Sequence, residues 1–230
     1  MIAENLKKIE ERIEAACRRC GRVRESVRLI AVSKTKPAEA VAEAYAAGQR
    51  LFGENHAQEI IAKKPLLPED IRWHFIGNLQ KNKVKYLVGS VEMIHSVNSE
   101  GLAAQIEKQA AKCGLVQDIL LEVNVAGESS KQGAAPEALL SLLRFCDSQP
   151  HLRLCGLMAV APFTEDPEES RPYFIRLREM RDGLKPALRD PDAFRELSMG
   201  MSGDFETAVE EGATLVRVGT SIFGARNTMK

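Results

Sequence analysis

Leu29-Ile30-Ala31-Val32-Ser33-Lys34-Thr35-Lys36-Pro37 is an apolar run that ends abruptly in a lysine and is stopped by a proline. A short apolar block containing β-branched side chains and closed by polar ones has the length and composition of a strand buried on both faces, not of a helix. Lys34 is therefore expected where the strand leaves the core. A lysine held partly out of water has its charged form disfavoured, so its pKa falls and its free amine can attack a carbonyl. Taken alone, such a residue more often just marks the strand's solvent end, because lysine is rarely buried unless paired.

Upstream, Ile2, Leu6, Ile9, Ile13, Ala16 and Cys17 recur at helical spacing with charges between them, which predicts an amphipathic opening helix over Ile2–Arg19. Downstream, strands and helices alternate. Helix is expected over Ala38–Ala47, strand over Leu51–Asn55, helix over Ala57–Lys63, strand over Trp73–Gly77 and helix over Lys83–Val88. The pattern continues with strand Met93–Ser96, helix Leu102–Lys112, strand Ile119–Val125, a Gly/Ser-rich loop Ala126–Ala135 and helix Ala138–Cys146. Strand Leu152–Val160, a long helix Glu168–Leu188, a weak strand Phe194–Ser198, helix Phe205–Glu211 and strand Leu215–Val218 complete it. Strict alternation demands parallel strands with helical crossovers. Eight such repeats predict a single (β/α)8 TIM barrel with an extra N-terminal helix, the alternative being an open doubly wound sheet. No Pro/Gly/Ser linker or shift in composition divides residues 1–230, so one domain is expected.

Composition narrows the function classes. The 230 residues are 44% hydrophobic and 28% charged, with 32 basic against 32 acidic side chains, so no global field draws the protein to nucleic acid or to an anionic membrane. Arg18, Arg19, Arg22, Arg24 and Arg28 form a local basic cluster, but flanking acids and Glu25 within it suit a solvated face better than an RNA site. There is no signal-like N-terminus and no apolar run of membrane-spanning length, which predicts a cytoplasmic protein. Cys17 and Cys20 are spaced C-x-x-C inside a helical pattern instead of after a strand, and His56, His74, His95 and His151 are isolated; neither redox nor metal chemistry is expected.

In either α/β architecture the site belongs at the C-terminal strand ends. Those ends carry Lys34, Glu54 and Asn55, Gly77 and Asn78, Asn124, and Met158. After strand seven comes Ser198-Met199-Gly200-Met201-Ser202-Gly203-Asp204, and after strand eight Arg217-Val218-Gly219-Thr220-Ser221. Glycines let backbone approach an anion, hydroxyls donate, and following helices add N–H groups, which together suit a phosphate at the usual barrel position. There is no G-x-x-x-x-G-K-[ST], no G-x-G-x-x-G after a strand and no G-x-S-x-G, which disfavours nucleotides and an esterase-type nucleophile.

A lysine facing a phosphate cradle suits pyridoxal 5'-phosphate (PLP), and the sequence closely resembles the pyridoxal phosphate homeostasis protein family, single-domain relatives of the alanine racemase barrel. The resemblance rests on Ala31–Pro37, Phe52-Gly53-Glu54-Asn55, Trp73-His74-Phe75-Ile76-Gly77 with Leu79-Gln80, Gly156-Leu157-Met158, Leu197–Ser202 and Val216-Arg217-Val218-Gly219-Thr220. It implies that Lys34 forms a Schiff base with PLP and that Arg217 faces the pyridine nitrogen. Ser198 or Ser202, with Gly219 and Thr220, would hold the phosphate, while Asn55 and Met158 line the pocket. Asn78 stands where the family pattern has a proline.

Arginine donates hydrogen bonds and does not accept them, so Arg217 would keep the pyridine nitrogen unprotonated and weaken its action as an electron sink. By the resemblance, racemases of the related barrel tolerate an arginine here, so this alone does not exclude catalysis. A racemase also needs a second proton-transfer group, which in that family comes from an additional C-terminal domain; here the sequence ends at Lys230 just past strand eight. Lacking that group should cost roughly 10²–10⁴ in rate. The expectation is a non-catalytic PLP carrier acting in vitamin B6 and amino-acid homeostasis, a monomer, with PLP-dependent apoenzymes as recipients. The alternative is a PLP-dependent amino-acid racemase whose base is one of Glu54, His74 and His95.

Overall fold

The structure is a computed structural model that describes residues 1–127 and 132–225. Its opening helix α1 (Ile2–Arg19) buries Leu6, Ile9, Ile13, Ala16 and Cys17 along one stripe and carries Lys8–Glu4 and Arg18–Glu14 pairs on its outer face. Strand β1 (Arg28–Val32) follows, then α2 (Ala38–Ala46), β2 (Leu51–Glu54), α3 (Ala57–Lys63), β3 (Arg72–Phe75), α4 (Val84–Leu87), β4 (Met93–Val97) and α5 (Glu100–Cys113). The second half runs β5 (Gln117–Glu122), α6 (Pro136–Ser148), β6 (Leu152–Met158), α7 (Arg171–Leu184), β7 (Glu196–Ser198), α8 (Phe205–Glu210), β8 (Leu215–Val218) and α9 (Thr220–Phe223).

The eight strands close in sequence order into one parallel barrel. Closure is made by β1, which pairs Ala31 with Phe52 of β2 on one side and Ile30 with Arg217 of β8 on the other. The open doubly wound alternative is thereby ruled out. The chain is a (β/α)8 barrel with a helix preceding its first strand.

Strand periodicity sorts the side chains into two cores. Outward residues such as Leu29, Ala31, Phe52, Trp73 and Phe75 join the helices in the main apolar layer, while Ile30, Val32, Leu51, Met93, Leu120, Cys155, Met158 and Leu215 form a smaller cluster inside the barrel. Apolar residues do not fill that interior alone. On β3, β4, β5, β7 and β8, residues alternating with outward apolar neighbours place His74, His95, Glu122, Ser198 and Arg217 on the inner face, and all five are buried. A barrel interior is a packed core, so polar groups there must satisfy one another or a ligand.

Several element boundaries depart from the sequence expectation. The predicted helix Glu168–Leu188 is three pieces: a 3₁₀ turn Pro167–Ser170, α7, and a second 3₁₀ turn Lys185–Ala187. Pro172 suits the first turn of α7, whereas Pro186 lacks the N–H to continue it. Strands β6 and β7 are shorter than predicted, ending at Met158 and beginning at Glu196. Strand β5 is shifted toward the N-terminus, and the helix predicted over Lys83–Val88 is a single turn. Of the predicted loop 126–135, residues 128–131 lie outside the described residues, as does the chain end at Lys230.

The arginine cluster is tied to carboxylates: Arg19 meets Glu210 at 2.6 Å, Arg28 meets Glu196 at 2.7 Å, and Arg24 pairs with Glu10. Among the described residues no helix is long and apolar enough to cross a membrane, and no group of three or more His, Cys, Asp or Glu could hold a metal ion.

Candidate functional site

Lys34 lies just beyond β1, half-buried, in a tight turn closed by Lys36 N–H donating to the Ser33 carbonyl at 3.0 Å. Thr35, the third residue of that turn, has φ 62°, a left-handed conformation that a β-branched residue rarely adopts. Strain of this kind persists only where the surroundings hold it. Here Glu59 on α3 accepts the Thr35 N–H at 2.7 Å and is itself bound at 2.7 Å by Lys63. Lys63 also donates to Glu54 Oε1 at 2.7 Å and to the Ser33 carbonyl at 2.9 Å, and the Ser33 hydroxyl donates to the same Glu54 oxygen at 2.6 Å. Glu54 is fully buried, and burial pushes its carboxyl up while the bonds from Lys63 and Ser33 pull it down. An ionic corner, none of which is apparent from the β1 motif, thus braces the Lys34 turn.

On the neighbouring strand β8, Arg217 is 5% exposed and fixed at two points. Its Nη1 donates to Ser198 Oγ at 2.6 Å and its Nη2 to the Ala159 carbonyl at 2.9 Å. Burial lowers its pKa to about 10, which leaves it charged at neutral pH. Ser198 is in turn 2.9 Å from His95 Nδ1, and His95 Nε2 is 2.8 Å from His74 Nδ1. Burial disfavours the imidazolium of both histidines.

Beside Arg217 the loops after β7 and β8 meet. Gly219 donates its N–H to Ser202 Oγ at 3.2 Å, and a Cβ on Gly219 would lie 3.2 Å from the Val32 carbonyl, so the β8 loop packs directly on the end of β1. Among the described residues, the backbone N–H groups of Ser202, Gly203, Thr220 and Ser221 donate to no backbone acceptor, and all four residues reach solvent. The helices behind them, α8 and α9, are too short to supply a strong dipole, so these individual donors are what an anion would meet. The Gly200–Asp204 loop is shaped from within by Asp204, whose carboxylate accepts the Met201 N–H at 2.6 Å.

Two further atoms fit a ligand. Asn55 Oδ1, just past β2, and Glu122 Oε2, at the end of β5, are buried with no hydrogen-bond partner. Burial raises the Glu122 carboxyl, opposed by the charge on Arg217. Asn55 is also where the β2 and β3 ends press together: a Cβ on Gly77 would lie 2.2 Å from the Asn55 carbonyl oxygen, which is why the Trp73–Gly77 segment closes on glycine. Met158 closes β6 and packs inside the barrel with Val32.

The strand-end residues Lys34, Asn55, Met158, Ser198, Ser202, Arg217, Gly219 and Thr220 all lie at the C-terminal end of one barrel. Within that set Ser198 is engaged by Arg217 and His95, whereas Ser202 stands in the loop with the free N–H groups. Sequence reading alone did not reveal the Ser33–Glu54–Glu59–Lys63 corner, nor the histidine pair behind Arg217. The single available signal was that His74 and His95 occupy inward positions of short strands.

Residues 5–227 match the family described as "Alanine racemase, N-terminal domain". The chain is 48% identical over 224 residues to the pyridoxal phosphate homeostasis protein of Aquifex aeolicus, covering 97% of each chain. It is 44% identical over 227 residues to the protein of the same name from Pseudomonas aeruginosa, covering 98% of this chain and 96% of that one. Of solved structures, PipY of Synechococcus elongatus with PLP bound is similar at 39% identity and a TM-score of 0.84, over 97% of this chain and 100% of PipY. Alanine racemase from Streptomyces coelicolor, at 20% identity and a TM-score of 0.72, shares the barrel fold over 96% of this chain and 58% of its own length.

Proposed function

This chain belongs to the alanine racemase N-terminal domain family, among the pyridoxal phosphate homeostasis proteins, and from that premise we propose that it binds PLP as a reversible Schiff base on Lys34. In this reading it serves vitamin B6 and amino-acid homeostasis as a carrier without strong catalysis. The observation that carries it is the pairing, on one barrel rim, of a braced lysine turn with a doubly anchored arginine and a set of free N–H donors. Lys34 supplies the amine. Ser202, Gly203, Thr220 and Ser221 supply donors for the phosphate, Arg217 a donor for the ring nitrogen, and Asn55, Met158 and Glu122 the walls.

Bound PLP supplies an electron sink for chemistry at an amino acid's α-carbon. Arg217 works against that chemistry, because a permanently protonated guanidinium can only donate to the ring nitrogen. The three residues that sequence offers as a racemase base are also engaged. Glu54 is held by Lys63 and Ser33, and His74 and His95 bond to each other deep in the barrel. None of them is an exposed group at the rim, which supports the carrier reading over the racemase.

Loading the purified protein with PLP should give Schiff-base absorbance that borohydride fixes on Lys34. Lys34→Ala should abolish it; an undiminished spectrum would remove Lys34 from the reading. Solvent-deuterium exchange at the α-carbon of amino acids separates carrier from racemase. Exchange clearly above that of free PLP would overturn the carrier assignment, and exchange at the free-PLP level supports it. Mixing loaded protein with a PLP-dependent apoenzyme, and timing its activation against release into buffer, tests direct transfer.

A further inference from the structure

The buried chain behind Arg217 runs through Ser198 and His95 to His74, and its hydrogen atoms can be placed by elimination. A guanidinium has donors only, so Arg217 Nη1 donates and Ser198 Oγ accepts. The Ser198 hydroxyl is completely buried, and among the described residues its only other side-chain hydrogen-bond partner is His95 Nδ1, so its proton goes there. His95 must then accept at Nδ1 and, being neutral, carry its proton on Nε2, which donates to His74 Nδ1 at 2.8 Å. His74 accepts at Nδ1 and so carries its own proton on Nε2.

The far end of the chain gives an independent check. His74 Nε2 is buried without a hydrogen-bond partner, and the closest carboxylate oxygen is Glu92 Oε1 at 4.0 Å, on the residue preceding β4. Glu92 is ionised, held well below the usual carboxylate range by Arg72 first and His74 second. An N–H directed at that anion is favourable; a lone pair directed at it is not. The reverse direction would put a lone pair there and also leave the Ser198 hydroxyl proton without an acceptor inside the core, at the cost of a buried unsatisfied donor. Both ends therefore select the same direction.

We infer that His95 and His74 are positioning residues for the cofactor: they impose a one-way hydrogen-bond chain, Arg217 to Ser198 to His95 to His74 toward Glu92, that fixes the guanidinium as a donor facing the ring nitrogen. This rests on the reading that Arg217 meets that nitrogen. Ser198 is committed to the chain, so the phosphate falls to Ser202 and its neighbours. Because Arg217, Ser198 and both imidazoles each have one assigned donor direction, the arginine cannot turn without breaking the series.

The decisive measurement needs no ligand. In the ¹⁵N-histidine spectrum of the full-length apoprotein at neutral pH, His74 and His95 should both be neutral with the proton on Nε2. A proton on His95 Nδ1, or a charged imidazole at either position, would overturn the chain. In the loaded protein, His95→Phe should loosen PLP retention about tenfold through the disturbed charged bond. Ser198→Ala with His95→Phe should be no worse than the more severe single variant, because both act through one series; additive losses would overturn it. If His95→Phe fails to fold, as judged by thermal melting of the apoprotein, His95→Gln, which keeps an acceptor for Ser198, should retain PLP better than His95→Leu. Loss of Schiff-base absorbance at Lys34 in the wild type would remove the functional reading while leaving the tautomer result intact. Normal loading with a His95 variant as retentive as wild type would remove this inference alone.

Discussion

The two halves of the barrel rim hold their key side chains by opposite means. On the β1–β3 side, the Lys34 turn is braced by charges: Glu54 and Lys63, both nearly or fully buried, with Glu59 at the edge. On the β7–β8 side, Arg217 is braced by neutral groups, a hydroxyl, a carbonyl and two uncharged imidazoles. An ionic brace is strong but brittle, since removing one partner strands the other in a low-dielectric interior. A neutral brace costs less to lose but defines direction, because each hydroxyl and imidazole proton can point only one way. The lysine needs a held backbone; the arginine needs a held orientation.

The brittle side gives the largest expected effect. Lys63→Met leaves Glu54 buried and unpaired and should destabilise the protein by roughly 3–5 kcal/mol in urea unfolding, with Glu54→Leu in the same chain restoring most of the loss. A cost under about 1 kcal/mol would show that the corner is not an ionic brace. Next comes Arg217→Lys, which keeps the charge but cannot satisfy Ser198 and the Ala159 carbonyl together in the same geometry. The expected loss is about 1.5–3 kcal/mol, read in unfolding of the apoprotein. Equal stability of the lysine variant would erase the contrast between the two sides.

How much of this was legible in the sequence follows from the distances over which each feature is encoded. The alternation of short apolar runs with helical periods is local, so the eight strands and the rim residues that end them could be read directly. Lys34, Asn55, Met158 and Arg217 were placed at strand ends for that reason. The braces are not local. His74 and His95 are 21 residues apart, His95 and Ser198 are 103 apart, and Ser33 and Glu54 are 21 apart. Their meeting depends on barrel closure and strand register, which periodicity cannot supply. Isolated histidines in sequence therefore suggested no metal site, and Glu54, His74 and His95 stood as candidate bases because their partners lay on other elements.

A smaller change sharpens the lysine side from within. Thr35 occupies a left-handed conformation that costs a non-glycine residue roughly 1–3 kcal/mol, part of which glycine would return through its greater freedom in the unfolded chain. Thr35→Gly should therefore raise stability by about 1 kcal/mol while loosening the backbone that carries Lys34. A calorimetric scan of the apoprotein reads the first effect, and the rate of Schiff-base formation reads the second. A variant that is less stable than wild type would show that the turn is not strained.

The smallest effect lies at the opposite end of the barrel and tests the charge that terminates the neutral chain. In the folded state Glu92 is held below its ordinary value of 4.5, chiefly by Arg72 and then by His74. A depressed carboxyl binds its proton more weakly when folded, so its contribution is present above about pH 4.5 and is lost as the pH falls below that value. Glu54 acts in the other sense: its raised carboxyl favours the folded state at low pH and loses that contribution as pH rises through its folded value. Glu92→Gln should accordingly flatten the acid limb of the stability profile without touching the neutral region by more than a surface pair is worth, about 0–1 kcal/mol. Its side chain is 33% exposed, so salt should shrink the effect further. An acid limb identical to wild type in urea titrations from pH 3 to 5 would mean that the Arg72–Glu92 pair is silent, and that the charge closing the histidine chain lies elsewhere.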